Sequence, residues 1–158
     1  MINAGLLGLG WWGKLIIETL KHSDQIRVTS AASRTMQKHK KYLEENKINA
    51  FASYEKMLED NSINAIIICT PNSQHEDQVI AAIKAKKQVF CEKPMALNRR
   101  AAENMVQIAD KNNFIIGIGH ERRYDPAIEK LKTIIEDESF GEKMHIEANW
   151  SHDILASL

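Results

Sequence analysis

Gly8-Leu9-Gly10-Trp11-Trp12-Gly13 is the stretch that decides the fold. It follows an apolar run at 2–7 and leads into Lys14-Leu15-Ile16-Ile17-Glu18-Thr19-Leu20, whose apolar positions recur at helical spacing. A strand, a glycine turn and a helix in that order open a dinucleotide-binding βαβ unit. The first glycine permits the tight turn. The second leaves no Cβ where a pyrophosphate approaches the backbone, and the third lets helix and strand pack closely. The unpaired N–H groups and the positive dipole end of the new helix then face the phosphates. Glycines also serve ordinary turns, so the flanking strand and helix carry the assignment.

Outward from that turn, short apolar runs alternate with amphipathic stretches. Strands are expected at 26–33, near 50–51, at 65–69, 88–91 and 114–118; helices at 36–46, 54–59, 74–85 and 99–111. Ala65-Ile66-Ile67-Ile68-Cys69 is the continuous apolar run of a strand buried on both faces. The alternation predicts an α/β fold, a doubly wound parallel sheet with right-handed crossovers, over residues 1–120. The pattern changes after Gly119. A helix is expected at 126–137, and 144–150 alternates as a half-buried strand of an antiparallel sheet. Residues 121–158 are therefore expected to begin a second, α+β domain whose remainder lies outside the chain.

Composition narrows the function. The 158 residues carry 21 Lys plus Arg against 21 Asp plus Glu, a balance with no push toward nucleic acid or a membrane surface. No basic leader precedes the apolar N-terminus, and no stretch has the length of a bilayer span. Cys69 and Cys91 each close an apolar run and read as buried free thiols in a reducing cytoplasm, with no metal site implied.

In an open α/β sheet, ligands bind beyond the carboxyl ends of the strands, where the polar residues of this chain gather. Ser33-Arg34 stands about twenty residues past the last glycine, where an acid would bond the ribose hydroxyls of NAD. A hydroxyl followed by a guanidinium suits a 2′-phosphate instead, since arginine holds two phosphate oxygens at once, and Lys38 adds charge. NADP is thus favoured over NAD; a solvated Ser-Arg turn capped by Ser33 or Thr35 is the alternative. Thr70-Pro71-Asn72 offers a hydroxyl and an amide to the ribose and nicotinamide side, or equally a helix-capping turn. His75 reads alone as a capping or surface histidine. Glu92-Lys93-Pro94 is the sharpest chemical signal: proline restricts the backbone and fixes the direction of a lysine suited to bonding a hydroxyl or moving a proton.

With Arg123-Tyr124-Asp125-Pro126 added, these motifs stand in the order and spacing of one family. The chain resembles, over nearly its whole length, the glucose–fructose oxidoreductase, inositol dehydrogenase and rhizopine catabolism family, Gfo/Idh/MocA. The resemblance implies NAD(P)-dependent hydride transfer at a carbon–oxygen bond of a sugar, polyol or related small molecule. It assigns Lys93 the catalytic contact with the reacting hydroxyl, with Glu92 orienting it and a cis Lys93–Pro94 bond. With Lys38 from the charge reading above, the candidate cofactor contacts are then Gly8, Gly10, Trp11, Trp12, Gly13, Ser33, Arg34, Lys38, Thr70, Pro71, Asn72, His75, Glu92, Lys93 and Arg123. The resemblance also implies a homo-oligomer joined through a second-domain sheet, and an Asp/His pair on that sheet. His152-Asp153 has the right residue types but stands too early to match that pair. A nucleotide-binding module without turnover is the alternative function, and a SAM-binding fold a third, opposed by Glu92-Lys93-Pro94.

Overall fold

A computed structural model describes residues 1–149. The chain divides into two compact units, Met1–His120 and a second beginning at Glu121. The first unit is a six-stranded sheet: β1 (Ile2–Leu7), β2 (Ile26–Ala32), β3 (Asn49–Phe51), β4 (Ala65–Ile68), β5 (Gln88–Cys91) and β6 (Ile116–Ile118). All neighbours pair in parallel, in the order β3-β2-β1-β4-β5-β6. The order reverses between β1 and β4, so successive connections leave in opposite directions and open a crevice at their carboxyl ends.

Helices α1 (Trp11–Leu20), α2 (Lys40–Glu45), α3 (Tyr54–Leu58), α4 (His75–Lys84) and α5 (Arg99–Asn112) cover the sheet. Strand periodicity divides the three isoleucines of β4 between two cores. Ile66 and Ile68 join Val79 and Ile83 of α4 and Met105 of α5. Ile67 joins Ile17 of α1 and Leu43 of α2. Each isoleucine is at most 3% exposed, and burial of such a side chain stabilises by about 1.5–3 kcal/mol.

The helix expected at 36–46 is broken: Met36–His39 is a 3-10 turn and α2 starts only at Lys40. Neither segment has a side-chain cap on its first turn, and α2 is short.

In the second unit a 3-10 turn at Glu121–Tyr124 precedes α6 (Pro126–Glu136). Asp125 accepts the Ala127 N–H at 3.0 Å, and Pro126 occupies the first turn, where its missing N–H costs nothing. The strand expected at 144–150 is not formed over its described part. Residues 144–149 carry no strand, and Met144 and Ile146 stay exposed. A strand exists only through bonds to a neighbouring strand, and none is supplied to this segment among the described residues. Trp150 and His152-Asp153 lie outside the described residues. No helix among the described residues is long and apolar enough to cross a membrane.

Candidate functional site

Five connections leave the carboxyl edge of the sheet, and the residues singled out in the first unit lie on or beside them. Gly8, at the end of β1, has φ +101°, and a Cβ there would lie 2.6 Å from the Cys69 carbonyl oxygen. The turn therefore needs glycine on two counts, conformation and space. A Cβ on Gly13 would strike the Gly8 carbonyl oxygen, so the third glycine sets how closely α1 approaches β1. Gly10 differs. A Cβ there meets nothing within 4 Å, and its φ of −69° is open to any residue. The protein's own packing does not require this glycine. The open space stands at the N-terminus of α1, which no side chain caps.

A cleft of about 530 Å³ runs from this turn along the ends of β1, β2 and β4, lined by Gly8, Gly10, Ser33, Arg34, Thr70 and Pro71 among others. Lys38 lines an adjoining hollow together with Ser33 and Arg34. Ser33 accepts the Thr35 N–H at 3.4 Å, the local turn bond left open by the sequence. Arg34 and Lys38 are exposed.

Several lining residues escaped the sequence reading. His39 bonds Thr35 Oγ1 through Nε2 at 3.3 Å. Its ring is held below the ordinary histidine range by burial and then by the Lys14 and Lys38 charges. Burial is the larger cause of that shift, and Lys14 and Lys38 add positive charge beside the ring. The i, i+4 spacing of Thr35 and His39 was a signal present in the sequence. Tyr54 and Glu55 come from α3, Gln74 from the 3-10 turn before α4, and Gln78 from α4 itself. Thr70 donates its hydroxyl to Gln78 Oε1, and Gln78 donates in turn to Gln74 Oε1 at 2.9 Å. Tyr54 donates to the Gln78 carbonyl at 2.8 Å, and burial pushes its phenol well above the ordinary range. Ser53 holds the Glu55 carboxyl below the ordinary range through a hydrogen bond.

At the end of β5 the Lys93–Pro94 bond is cis. Glu92 is buried, and its Oε2 accepts the backbone N–H of Lys93 at 3.2 Å. Lys93 itself is exposed, with Nζ 6.0 Å from the centroid of the Trp12 ring, at the outer reach of a cation–π contact. Trp12 stacks at a tilt against the exposed Trp11, centroids 5.4 Å apart. The buried Trp12 Nε1 has no hydrogen-bond partner among the described residues. Asn72 is exposed in the 3-10 turn that enters α4. His75 is completely buried, not the capping or surface histidine its position suggested. Arg123 belongs to the second unit, in the turn at Glu121–Tyr124. Cys69 and Cys91 are free thiols, pushed up to about 12 by burial and by the Glu92 charge.

An uncapped helix N-terminus, a glycine whose Cβ space is open, an orphaned indole donor and a positive corner at the end of β2 together fit a dinucleotide. Comparison with known proteins agrees. A family model described as an oxidoreductase family with an NAD-binding Rossmann fold matches residues 2–120. Myo-inositol 2-dehydrogenase of Thermotoga maritima is 32% identical over 155 residues, 96% of this chain and 46% of that protein. D-xylose 1-dehydrogenase [NADP(+)] of Haloarcula marismortui is 27% identical over 168 residues, 98% of this chain and 44% of that protein. The crystal structure of scyllo-inositol dehydrogenase from Lactobacillus casei with bound NAD(H) and scyllo-inositol superposes with a TM-score of 0.83. It is 26% identical, covering 90% of this chain and 43% of that one. The chain thus spans less than half the length of each of these relatives.

Proposed function

The chain belongs to the Gfo/Idh/MocA oxidoreductase family, and on that premise we propose that it is the nucleotide-binding part of an NAD(P)-dependent enzyme acting on a sugar, polyol or related compound. A bound nicotinamide supplies the hydride acceptor or donor for the carbon bearing the substrate hydroxyl or carbonyl. The residues of this chain do the holding. The glycine turn and the N-terminus of α1 take the pyrophosphate, with Trp11 and Trp12 beside it. Thr70, Pro71 and Asn72 stand on the ribose and nicotinamide side, and Arg123 is assigned to the nicotinamide end by resemblance. Lys93 is the catalytic residue in this reading: its ammonium has three donors for the substrate oxygen and the nicotinamide ribose, and Glu92 fixes its backbone.

The observation that carries the nucleotide reading is Gly10, a glycine that the protein's own packing leaves unexplained. NADP is favoured over NAD because Ser33, Arg34 and Lys38 gather at the end of β2. The related enzymes name both cofactors, NADP for the xylose dehydrogenase and NAD(H) for the scyllo-inositol dehydrogenase.

In the same reading residues 1–120 are the cofactor domain and residues 121–158 begin a substrate and oligomerisation domain of a homo-oligomer. Two free thiols suit a reducing cytoplasm. Fluorescence titration of the chain with NADPH and NADH tests the proposal. Saturable binding of both, tighter for NADPH, is expected, and binding of neither overturns it.

A further inference from the structure

We infer that His75 is a positioning residue: its ring ties the turn after β4 to the Lys93–Pro94 turn and so sets where Lys93 stands. The ring is 0% exposed, so no edge of it is open to a dinucleotide. Nδ1 lies 2.9 Å from the carbonyl oxygen of Pro94, and Nε2 lies 3.0 Å from that of Thr70. Each ring nitrogen thus faces a backbone carbonyl, one on each side, and a neutral ring donates its single N–H to one of them. The two carbonyls belong to the connections that leave adjacent strands β4 and β5, the connections that carry Thr70-Pro71-Asn72 and Glu92-Lys93-Pro94.

The chemistry of the ring explains why another side chain does not replace it. A neutral imidazole has one N–H, and a carbonyl oxygen only accepts. Whichever nitrogen bears the proton, the ring spans the gap between two acceptors through a rigid plane. An apolar side chain of similar size fills the space but takes the ring N–H away from the carbonyl that accepts it, at a cost comparable to a lost hydrogen bond.

On its other flank Lys93 gives its backbone N–H to the Glu92 carboxylate. The lysine is therefore held from the residue before it by Glu92 and from the residue after it by His75. Of the two, only Glu92 is adjacent to it in sequence; His75 reaches it through the fold.

The inference rests on the proposed cofactor role of Lys93, and its test separates the two. The dissociation constant for NADPH is measured for the wild-type chain, His75→Leu and His75→Gln, each with Lys93 present and in a Lys93→Met background. Backbone amide exchange is followed in all six proteins. Loss of the clamp weakens NADPH roughly three- to tenfold on the usual net worth of a buried hydrogen bond. Glutamine, which keeps a donor, restores part of the loss. In the Lys93→Met background the His75→Leu change has no further effect, and faster exchange is confined to the 70–75 and 92–97 segments.

Wild-type affinity for His75→Leu overturns the inference, as does the same fold-loss in both Lys93 backgrounds, which marks a general structural role. If His75→Leu does not fold, His75→Gln decides by the same criteria. Failure of the wild-type chain to bind either nucleotide overturns the proposed function instead, and the exchange pattern still decides whether the ring couples the two turns.

Discussion

A Cβ built on Gly119 would stand 2.7 Å from Oε1 of Glu92. The carboxylate that receives the Lys93 N–H is thus accommodated by a glycine at the end of β6, which itself donates to the Cys91 carbonyl at 2.9 Å. The atom in the way is the far end of a flexible side chain, so Gly119→Ala moves the Glu92 carboxylate and spares the backbone. The expected loss of stability is about 1 kcal/mol or less, below the usual overpacking range. NADPH binding is expected to weaken several-fold, because the Lys93 turn loses its acceptor. Urea denaturation and NADPH titration of the same variant check both halves; an unfolded variant or unchanged binding contradicts the relationship.

The three glycines of the opening turn are expected to fail in different ways. Gly8→Ala combines a positive φ with a clash against the Cys69 carbonyl and should cost at least about 2 kcal/mol. Gly13→Ala drives a Cβ into the Gly8 carbonyl and should be comparably damaging. Gly10→Ala meets only open space and should change stability by less than about 1 kcal/mol. It should nevertheless abolish NADPH binding, since the methyl occupies the pyrophosphate's approach. Thermal melts paired with titrations show this separation or its absence.

Arg34→Ala tests the cofactor preference alone. Removing a guanidinium from a phosphate costs about 1–3 kcal/mol for a charged hydrogen bond, so NADPH should weaken by that amount while NADH barely changes. Equal losses for both nucleotides would place Arg34 outside the 2′-phosphate site. Raising the salt concentration should narrow the difference between the two cofactors, because the contact is exposed.

The thiols predict the alkaline limit of stability. Burial and the Glu92 charge raise Cys69 and Cys91 from 9.0 to about 12 in the folded chain. Between those values the unfolded chain binds fewer protons than the folded one, so stability falls as pH rises. Their contribution is complete below about pH 9 and is lost progressively toward pH 12. Urea midpoints from pH 7 to pH 10.5 should decline above pH 9, and less steeply in Cys69→Ala. Alkylation of either thiol at pH 8 should be slow until urea unfolds the chain.

Much of this was readable along the chain because the signals were local. The apolar run Ala65-Ile66-Ile67-Ile68 announced a strand buried on both faces, and the two cores receive its side chains alternately. The glycine spacing announced the turn. The break between Met36–His39 and α2 was not readable, because the helical pattern of 36–46 ran straight through it. The strand expected at 144–150 had the right alternation, but alternation records only which face a strand would bury, not whether a neighbour is there to bond it. Tyr54 and Glu55 entered the cleft from α3, about twenty residues from Ser33 and about fifteen from Thr70, so no motif around either could point to them.

By itself the sequence determined the α/β class, the place of the nucleotide turn and the residue types at each strand end, since propensity, periodicity and glycine conformation act over a few residues. Only the tertiary structure decided what those residues touch. It made Gly10 the one glycine of its turn that the protein's own packing does not require, set Gly119 against Glu92, and buried His75, at the entry to α4, between the carbonyls of two turns. The physical reason is the parallel sheet itself. It aligns the carboxyl ends of strands that are distant in sequence, and there backbone carbonyls, which no side-chain pattern encodes, become the partners that fix the site.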